Sequence, residues 1–372
     1  MSKHTALYGT HEALGASFTD FGGWQMPLKY SSELAEHHAV RQAAGLFDLS
    51  HMGEVWVTGP DAGAFLDYAL VGKLSAIADG KAKYSLICNA DGGIIDDLLT
   101  YRFGPEKYLV VPNAGNAPTV AAELAQRAEG FDVVVENVSE AMSLIAVQGP
   151  NAEAILLKLT DDAQHDLVSG LKYYAFDEVT VAGHDVILAR TGYTGEDGFE
   201  LFLPNEGAAA LWASISEAGA GLGLIPCGLA CRDSLRLEAG MPLYGNELSL
   251  EGNPFAAGLG PVVALSKEGD FVGKEALAAL KAAGAGTTSG RRLVGLKGLG
   301  RRAARSHYPV LKDGAVIGEV TSGQPSPTLG YPVAMAYVDV EHSEIGTALE
   351  AELRGKVEAF EVIALPFYKR AK

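Results

Sequence analysis

Lys83-Tyr84-Ser85-Leu86-Ile87-Cys88-Asn89-Ala90-Asp91-Gly92-Gly93-Ile94-Ile95-Asp96-Asp97-Leu98-Leu99-Thr100 reads as a strand, a turn and a returning strand. Lys83 to Asn89 alternates in polarity, with the two-residue period of a strand, and Ala90-Asp91-Gly92-Gly93 supplies the turn. Ile94 to Phe103 forms the return, and Tyr108 to Pro112 a third strand. Helices lie to either side. Asp61 to Leu70 is one; Ala117 to Ala128 is another, preceded by Asn116 and carrying Pro118 in its first turn. Strands joined by hairpins and bracketed by helices predict an α+β domain more than a parallel sheet.

The pattern extends both ways. Ser31 to Phe47 reads as a helix, with Ser32 as its cap and Leu34, His38 and Leu46 at helix-like spacing. Asp132 to Glu136 and Met142 to Val147 are expected strands, and Ala152 to Leu159 a helix after Gln148-Gly149-Pro150-Asn151. Glu178 to Leu203 reads as two strands around Gly183-His184, the second broken by a glycine-rich corner at Gly192 to Gly198. Glu206 to Ala218 is a helix with Leu211 and Ile215 on one face. Ala282 to Gly290 is the best linker in the chain. Beyond it, Ala315–Val320, Val333–Val338, Ala348–Leu353 and Val357–Ile363 are short strands between Gly, Pro and Asp turns, which predicts a small β-barrel or jelly roll.

The 372 residues carry 29 Lys and Arg against 46 Asp and Glu, a formal net charge of −17. That balance argues against nucleic acid or an anionic membrane surface as the main ligand, because both need a local cationic surplus. Hydrophobic residues at 48% and charged residues at 20% fit a folded globular chain. Cys88, Cys227 and Cys231 are too few and too unevenly spaced for a disulfide framework, and Cys227 and Cys231 lack a second pair to make a zinc site. No metal is expected. The apolar stretches are broken by Pro and Gly, and Met1 to Thr5 opens no apolar leader, so the expected location is cytoplasmic with no membrane contact.

Three segments could carry chemistry. Asp96-Asp97 interrupts an apolar strand, where acids are poor formers, and adjacent strand residues face opposite sides, so one of the pair enters a given pocket. The alternative is a strand edge or bulge with both carboxylates solvated. Arg190-Thr191-Gly192-Tyr193-Thr194-Gly195-Glu196-Asp197-Gly198-Phe199-Glu200 packs glycines, aromatics and acids into eleven residues. Glycines let backbone approach a planar ligand, aromatics stack on it, and a carboxylate accepts paired N–H bonds from an amino-pyrimidine edge. The alternative is a tight turn with surface acids. Gly228 to Gly240 has helical spacing, and Arg232, Arg236 and Glu238 could make ion pairs along a solvated amphipathic helix.

Taken together these segments resemble the glycine cleavage T-protein family, folate-dependent aminomethyltransferases. The matching motifs are Phe21 to Pro27, Glu36 to Arg41, Phe47 to Met52, Gly93 to Leu98, Val147 to Pro150, Thr191 to Glu196, Ala230 to Gly240 with Tyr244-Gly245, Thr321 to Gly323 and Ser326 to Gly330. They run in family order from about Leu7 to Phe367. The resemblance implies a three-domain fold around a central opening: residues 1–54 with 142–275, an inserted domain at 55–141, a helix end and linker at 276–290, and a barrel at 291–372.

The resemblance also implies a reaction. The aminomethyl group on the dihydrolipoyl arm of lipoylated H-protein meets tetrahydrofolate as co-substrate, giving 5,10-methylenetetrahydrofolate, ammonia and the reduced arm. By motif position the catalytic carboxylate is Asp97, with Asp96 as the fallback. Glu200 takes the pterin's amino-pyrimidine edge and Arg232 completes the folate pocket. Met52, Tyr84, Asn113 and Tyr193 line it, and one of Tyr368, Lys369 and Arg370, within Pro366 to Arg370, faces the folate tail, with Tyr368 taken first. The basic cluster Arg291-Arg292, Arg301-Arg302 and Arg305, joined by Lys369 and Arg370, is the expected meeting surface for an acidic partner; the alternative is that these arginines only hold the third domain against the acidic first two.

Related folate demethylases share the architecture and act on methylamines or sulfonium compounds. Sarcosine- and dimethylglycine-oxidising enzymes carry it beside a flavin domain that these residues do not contain. Non-catalytic scaffolds of similar fold carry a Lys-Gly-Cys-Tyr stretch, where this chain reads Leu237 to Tyr244 without it.

Overall fold

A computed structural model describes residues 2–371. The chain divides into two compact units, residues 2–66, 74–83 and 98–233 in the first and residues 67–73, 84–97 and 234–371 in the second. The structure is mixed helix and strand, as the hairpin pattern predicts, and ends in a closed barrel.

The first unit centres on a six-stranded sheet in the order Phe176–Val181, His184–Ala189, Gly198–Pro204, Met142–Gln148, Ala44–Asp48, Leu224–Pro226. Its pairings are antiparallel except the last, where Leu224–Pro226 runs parallel to Ala44–Asp48. Along Gly198–Pro204 the period of two decides the faces. Phe199, Leu201 and Leu203 join the main core with Leu211, Trp212 and Ile215 of the helix Asn205–Ala220. Each such buried side chain contributes roughly 1.5–3 kcal/mol. Glu200 and Phe202 therefore point to the opposite face. There the strands Ile94–Gly104, Lys107–Pro112, Val55–Thr58 and Val134–Asn137 pair antiparallel in sequence, and Tyr101 of the first sets its ring edge-on to Phe202 at 5.6 Å.

Two expectations need correction here. The helix expected over Ser31 to Phe47 is Glu33–Gln42; Ser32 does cap it, its side chain accepting from the Ala35 N–H at 3.4 Å. Ala44–Asp48 is instead a strand buried along its whole length between two neighbours. A short apolar run buried on both faces shows no alternation, so its spacing cannot separate strand from helix. The stretch from Glu178 to Leu203 holds three strands, because the corner at Arg190 to Asp197 is long enough to turn the chain fully back.

The second unit holds the turn between Lys81–Cys88 and Ile94–Gly104, the C-terminal half of the helix Leu229–Glu238, and everything after it. Leu86, Cys88 and Ile94 pack with Leu248, Phe271 and Leu277. The barrel runs Arg291–Gly298, Pro332–Asp339, Ala315–Pro325, Pro309–Lys312, Ala348–Leu353, Lys356–Ile363, and the last strand pairs back onto the first. Its interior is filled by Leu296, Val320, Ala336, Val338, Ala351, Phe360 and Val362. On the outside, Leu237 packs with Leu293, Val333 and Met335.

All three cysteines are reduced and buried. Among the described residues no helix is long and apolar enough to cross a membrane, and no group of His, Cys, Asp and Glu is arranged to hold a metal ion.

Candidate functional site

In the first unit the glycine-rich corner is a clamp built on two side chains. Arg190 grips Asp197 with Nε at 3.0 Å and Nη2 at 2.5 Å, closing the loop on itself, and reaches Glu153 at 2.8 Å. Gln148, at the end of its strand, donates to the Thr191 carbonyl at 3.0 Å and accepts from the Thr194 hydroxyl at 2.9 Å. The corner backbone lies directly on that amide. A Cβ at Gly192 would sit 2.1 Å from Gln148 Oε1, and one at Gly198 2.5 Å from Nε2 and 2.7 Å from the Val147 carbonyl, so a side chain at either position would push the Gln148 amide out of these hydrogen bonds. The corner is thus not a surface turn. Glu196 and Glu200 are both buried, and Arg41 holds Glu196 at 3.0 Å.

This frame presents three of the expected residues together. Glu200 accepts a short hydrogen bond from the Thr191 hydroxyl. The Arg232 guanidinium lies 4.9 Å from the centre of the Tyr193 ring, in cation–π range. Burial pushes the Glu200 carboxyl above its usual range, while the Thr191 bond and the Arg232 charge pull it back. Burial lowers the Arg232 guanidinium, and Glu200 opposes that. Met52 and Asn113 are both partly exposed. The Gly53 N–H donates to the Pro112 carbonyl at 3.1 Å, which brings the two segments carrying them side by side.

The sequence reading missed His51, Thr191, Tyr101 and Gln148. His51 is buried and titrates at about 4, held down by burial first and by Arg232's charge, with Asp48 opposing. Gln148 lies in the quoted Val147 to Pro150 motif, and Thr191 in the corner itself. Each is a polar residue directly followed by a glycine, Gly149 or Gly192, and that was the available signal.

In the second unit the two aspartates part company. Asp96 is fully buried and Asp97 partly exposed, as opposite faces of one strand require. They are therefore not two solvated edge acids. The Tyr84 hydroxyl donates to Asp97 Oδ2 at 3.0 Å, so this expected pair is in contact. Tyr244 bonds the Ile94 carbonyl at 3.1 Å. Its phenol is raised by burial first, then by Asp96, Glu251 and Asp97.

The helix Leu229–Glu238 corrects the expectation of a solvated amphipathic helix. Arg236 is 1% exposed and Glu238 0%. Arg236 donates to Glu247 at 2.9 Å and to the Ser322 hydroxyl at 2.7 Å. Glu238 accepts from the Thr328 N–H and hydroxyl at 3.0 and 2.7 Å and from Ser326. Charges at helical spacing look alike whether they face water or a buried partner; only the neighbours beyond the helix, Glu247 and the segment from Ser322 to Thr328, separate the two. The Glu238 carbonyl also accepts from the Tyr368 N–H at 2.8 Å, which ties the C-terminal segment to this helix. Tyr368 and Arg370 are partly buried and Lys369 is exposed.

Residues 7–267 match the family model described as GCVT N-terminal domain, and residues 291–369 match the Glycine cleavage T-protein C-terminal barrel domain. The chain is 59% identical over 371 residues to an aminomethyltransferase of Streptomyces avermitilis, covering 100% of this chain and 98% of that one. It is 46% identical to an aminomethyltransferase of Bacillus subtilis, with 100% of both chains covered. Among solved structures, the glycine cleavage system aminomethyltransferase T from Bartonella henselae superposes with a TM-score of 0.91 at 38% identity, over 99% of each chain.

Proposed function

Because the chain belongs to the glycine cleavage T-protein family of aminomethyltransferases, with both family domains in order, we propose how its own residues carry out that transfer. The substrate is the aminomethyl group on the dihydrolipoyl arm of lipoylated H-protein, and the acceptor is tetrahydrofolate as co-substrate. The methylene carbon leaves sulfur and ammonia nitrogen and becomes bonded to folate N5 and N10. The two N–H protons of the folate end on the thiol and on the ammonia, so the atoms balance.

Glu200 binds the amino-pyrimidine edge. A buried carboxylate beside a guanidinium and an aromatic ring fits a flat ligand that offers paired N–H donors. The Thr191 hydrogen bond and the Arg232 charge both favour the ionised form of Glu200 against the upward push of burial, and Tyr193 supplies an apolar face. Met52 and Asn113 line the same pocket, and Tyr368 meets the folate tail. Asp97 stabilises the cationic methylene carbon, or takes the N5 proton, and Tyr84 aims its carboxylate. Its partial exposure favours Asp97 over the fully buried Asp96 for a group that must touch substrate. Holding nucleophile and electrophile in line supplies much of the remaining acceleration.

The observation that carries this reading is the match to both family domains along the chain, beside 59% identity to the aminomethyltransferase of Streptomyces avermitilis. The test is a turnover assay on the purified protein with tetrahydrofolate and three donors in parallel: aminomethylated H-protein, a sulfonium compound and a methylamine. Turnover with H-protein alone is the expected result. Preferential turnover of either small donor would make the chain a demethylase of the same architecture.

A further inference from the structure

Two hydroxyls stand in line behind Glu200, and the reading above gives neither a role. Thr191 donates to Glu200 Oε2, and the Tyr101 hydroxyl lies 3.4 Å from the same Thr191 oxygen. A threonine hydroxyl has a single proton. Once that proton is given to the carboxylate, the phenol must donate in turn, so the order is Tyr101 to Thr191 to Glu200.

Both hydroxyls are held. Tyr101 is fully buried, its ring edge-on to Phe176 at 5.4 Å and to Phe202 at 5.6 Å. Its phenol is raised by burial and by Glu200, with Tyr174 and Glu54 adding to that and Thr191 opposing, so it stays a donor. Thr191 is fixed through its backbone, where Gln148 donates to its carbonyl at 3.0 Å.

A free glutamate carboxylate swings broadly about its last torsion. A ligand with two parallel N–H groups needs that plane set in advance, since orientation lost on binding weakens affinity. We propose that Tyr101 and Thr191 are positioning residues that lock the plane of the Glu200 carboxylate, engaging one lone pair of Oε2 and leaving the others to the ligand. The proposal rests on the reading that Glu200 binds folate, and the experiment separates the two.

Dissociation constants for 5-formyltetrahydrofolate, a stable probe, would be measured by titration calorimetry for Thr191→Val, Thr191→Ser, Tyr101→Phe, Glu200→Ala and the double variant Thr191→Val/Glu200→Ala. Thr191→Val should weaken binding about tenfold, the size of one hydrogen bond to a charged group. Thr191→Ser should restore it, and Tyr101→Phe should weaken it about threefold. The KM for aminomethylated H-protein should not move. In the Glu200→Ala background Thr191→Val should add nothing further. If Glu200→Ala leaves affinity unchanged, the folate reading of Glu200 fails and the positioning role with it. If Glu200→Ala weakens binding but Thr191→Val does not, or its effect adds in full to that of Glu200→Ala, the positioning role is overturned while the folate reading stands. Should Thr191→Val not fold, Tyr101→Phe decides, and an unchanged constant overturns the proposal.

Discussion

Replacing Asp97 by asparagine removes one negative charge and keeps the shape of the side chain. The Tyr84 hydroxyl, 3.0 Å from Oδ2, can donate equally to the asparagine carbonyl, so the geometry persists. Asp97 is partly exposed, so water reaches the new amide and stability should hold. What is lost is the attraction between the carboxylate and a cationic carbon. At a contact of about 4 Å and an effective dielectric constant of about 20, that attraction is about 4 kcal/mol. At ~1.4 kcal/mol per decade of rate, Asp97→Asn should lower kcat roughly a thousandfold. The assay is the initial rate of methylenetetrahydrofolate formation from aminomethylated H-protein, alongside a folate titration expected to stay near wild type. A kcat within threefold of wild type would refute the electrostatic role. A dead Asp96→Asn beside an active Asp97→Asn would place the chemistry on the wrong face of the strand.

Glu247→Ala removes a buried carboxylate 2.9 Å from Arg236, itself 1% exposed, and should cost about 3–5 kcal/mol in denaturant unfolding; a change below about 1 kcal/mol would mean that the other partners of Arg236 suffice. His51 titrates at about 4 in the folded protein and near 6.5 in the unfolded chain. The unfolded state therefore binds the proton first, and stability falls as pH drops from about 6.5 towards 4. His51→Gln should flatten that acid limb in urea melts, and an unchanged slope would contradict it. Arg301 and Arg302 are exposed, with Arg302 only 3.8 Å from Glu358. Reversing both charges should slow association with an acidic H-protein, most at low salt where screening is weakest, and leave the melting temperature alone. An early-melting variant that associates at the normal rate would make these arginines structural instead.

The hairpin at Asn89 to Gly93 and the barrel strands were legible because alternation and turn chemistry are local. Ala44–Asp48 was not, since a strand covered on both faces has no polar side to alternate with. At the candidate site, the carboxylates themselves stood out against apolar neighbours. Their surroundings did not. Whether Arg236 faced water depended on Glu247 and Ser322, and whether the corner was a surface turn depended on Gln148, some 43 residues earlier than Thr191. Neither relation leaves a periodic trace. The difference between Asp96 and Asp97 was half legible: strand geometry puts them on opposite faces, but only packing says which face is covered.

Barrel closure has a kinetic side. Gly295 lies opposite Ile363, so the first strand of the barrel is completed by its last. During synthesis Arg291–Gly298 emerges early and gains Pro332–Asp339 on one flank, while the other flank keeps its N–H and C=O groups unpaired until Lys356–Ile363 arrives. An open flank of that kind is a template for pairing with another chain, and contacts so distant in sequence form late. Nascent or truncated chains ending before residue 356 should therefore be the aggregation-prone species, and the full-length chain acquires its protection in one step, when the ring shuts.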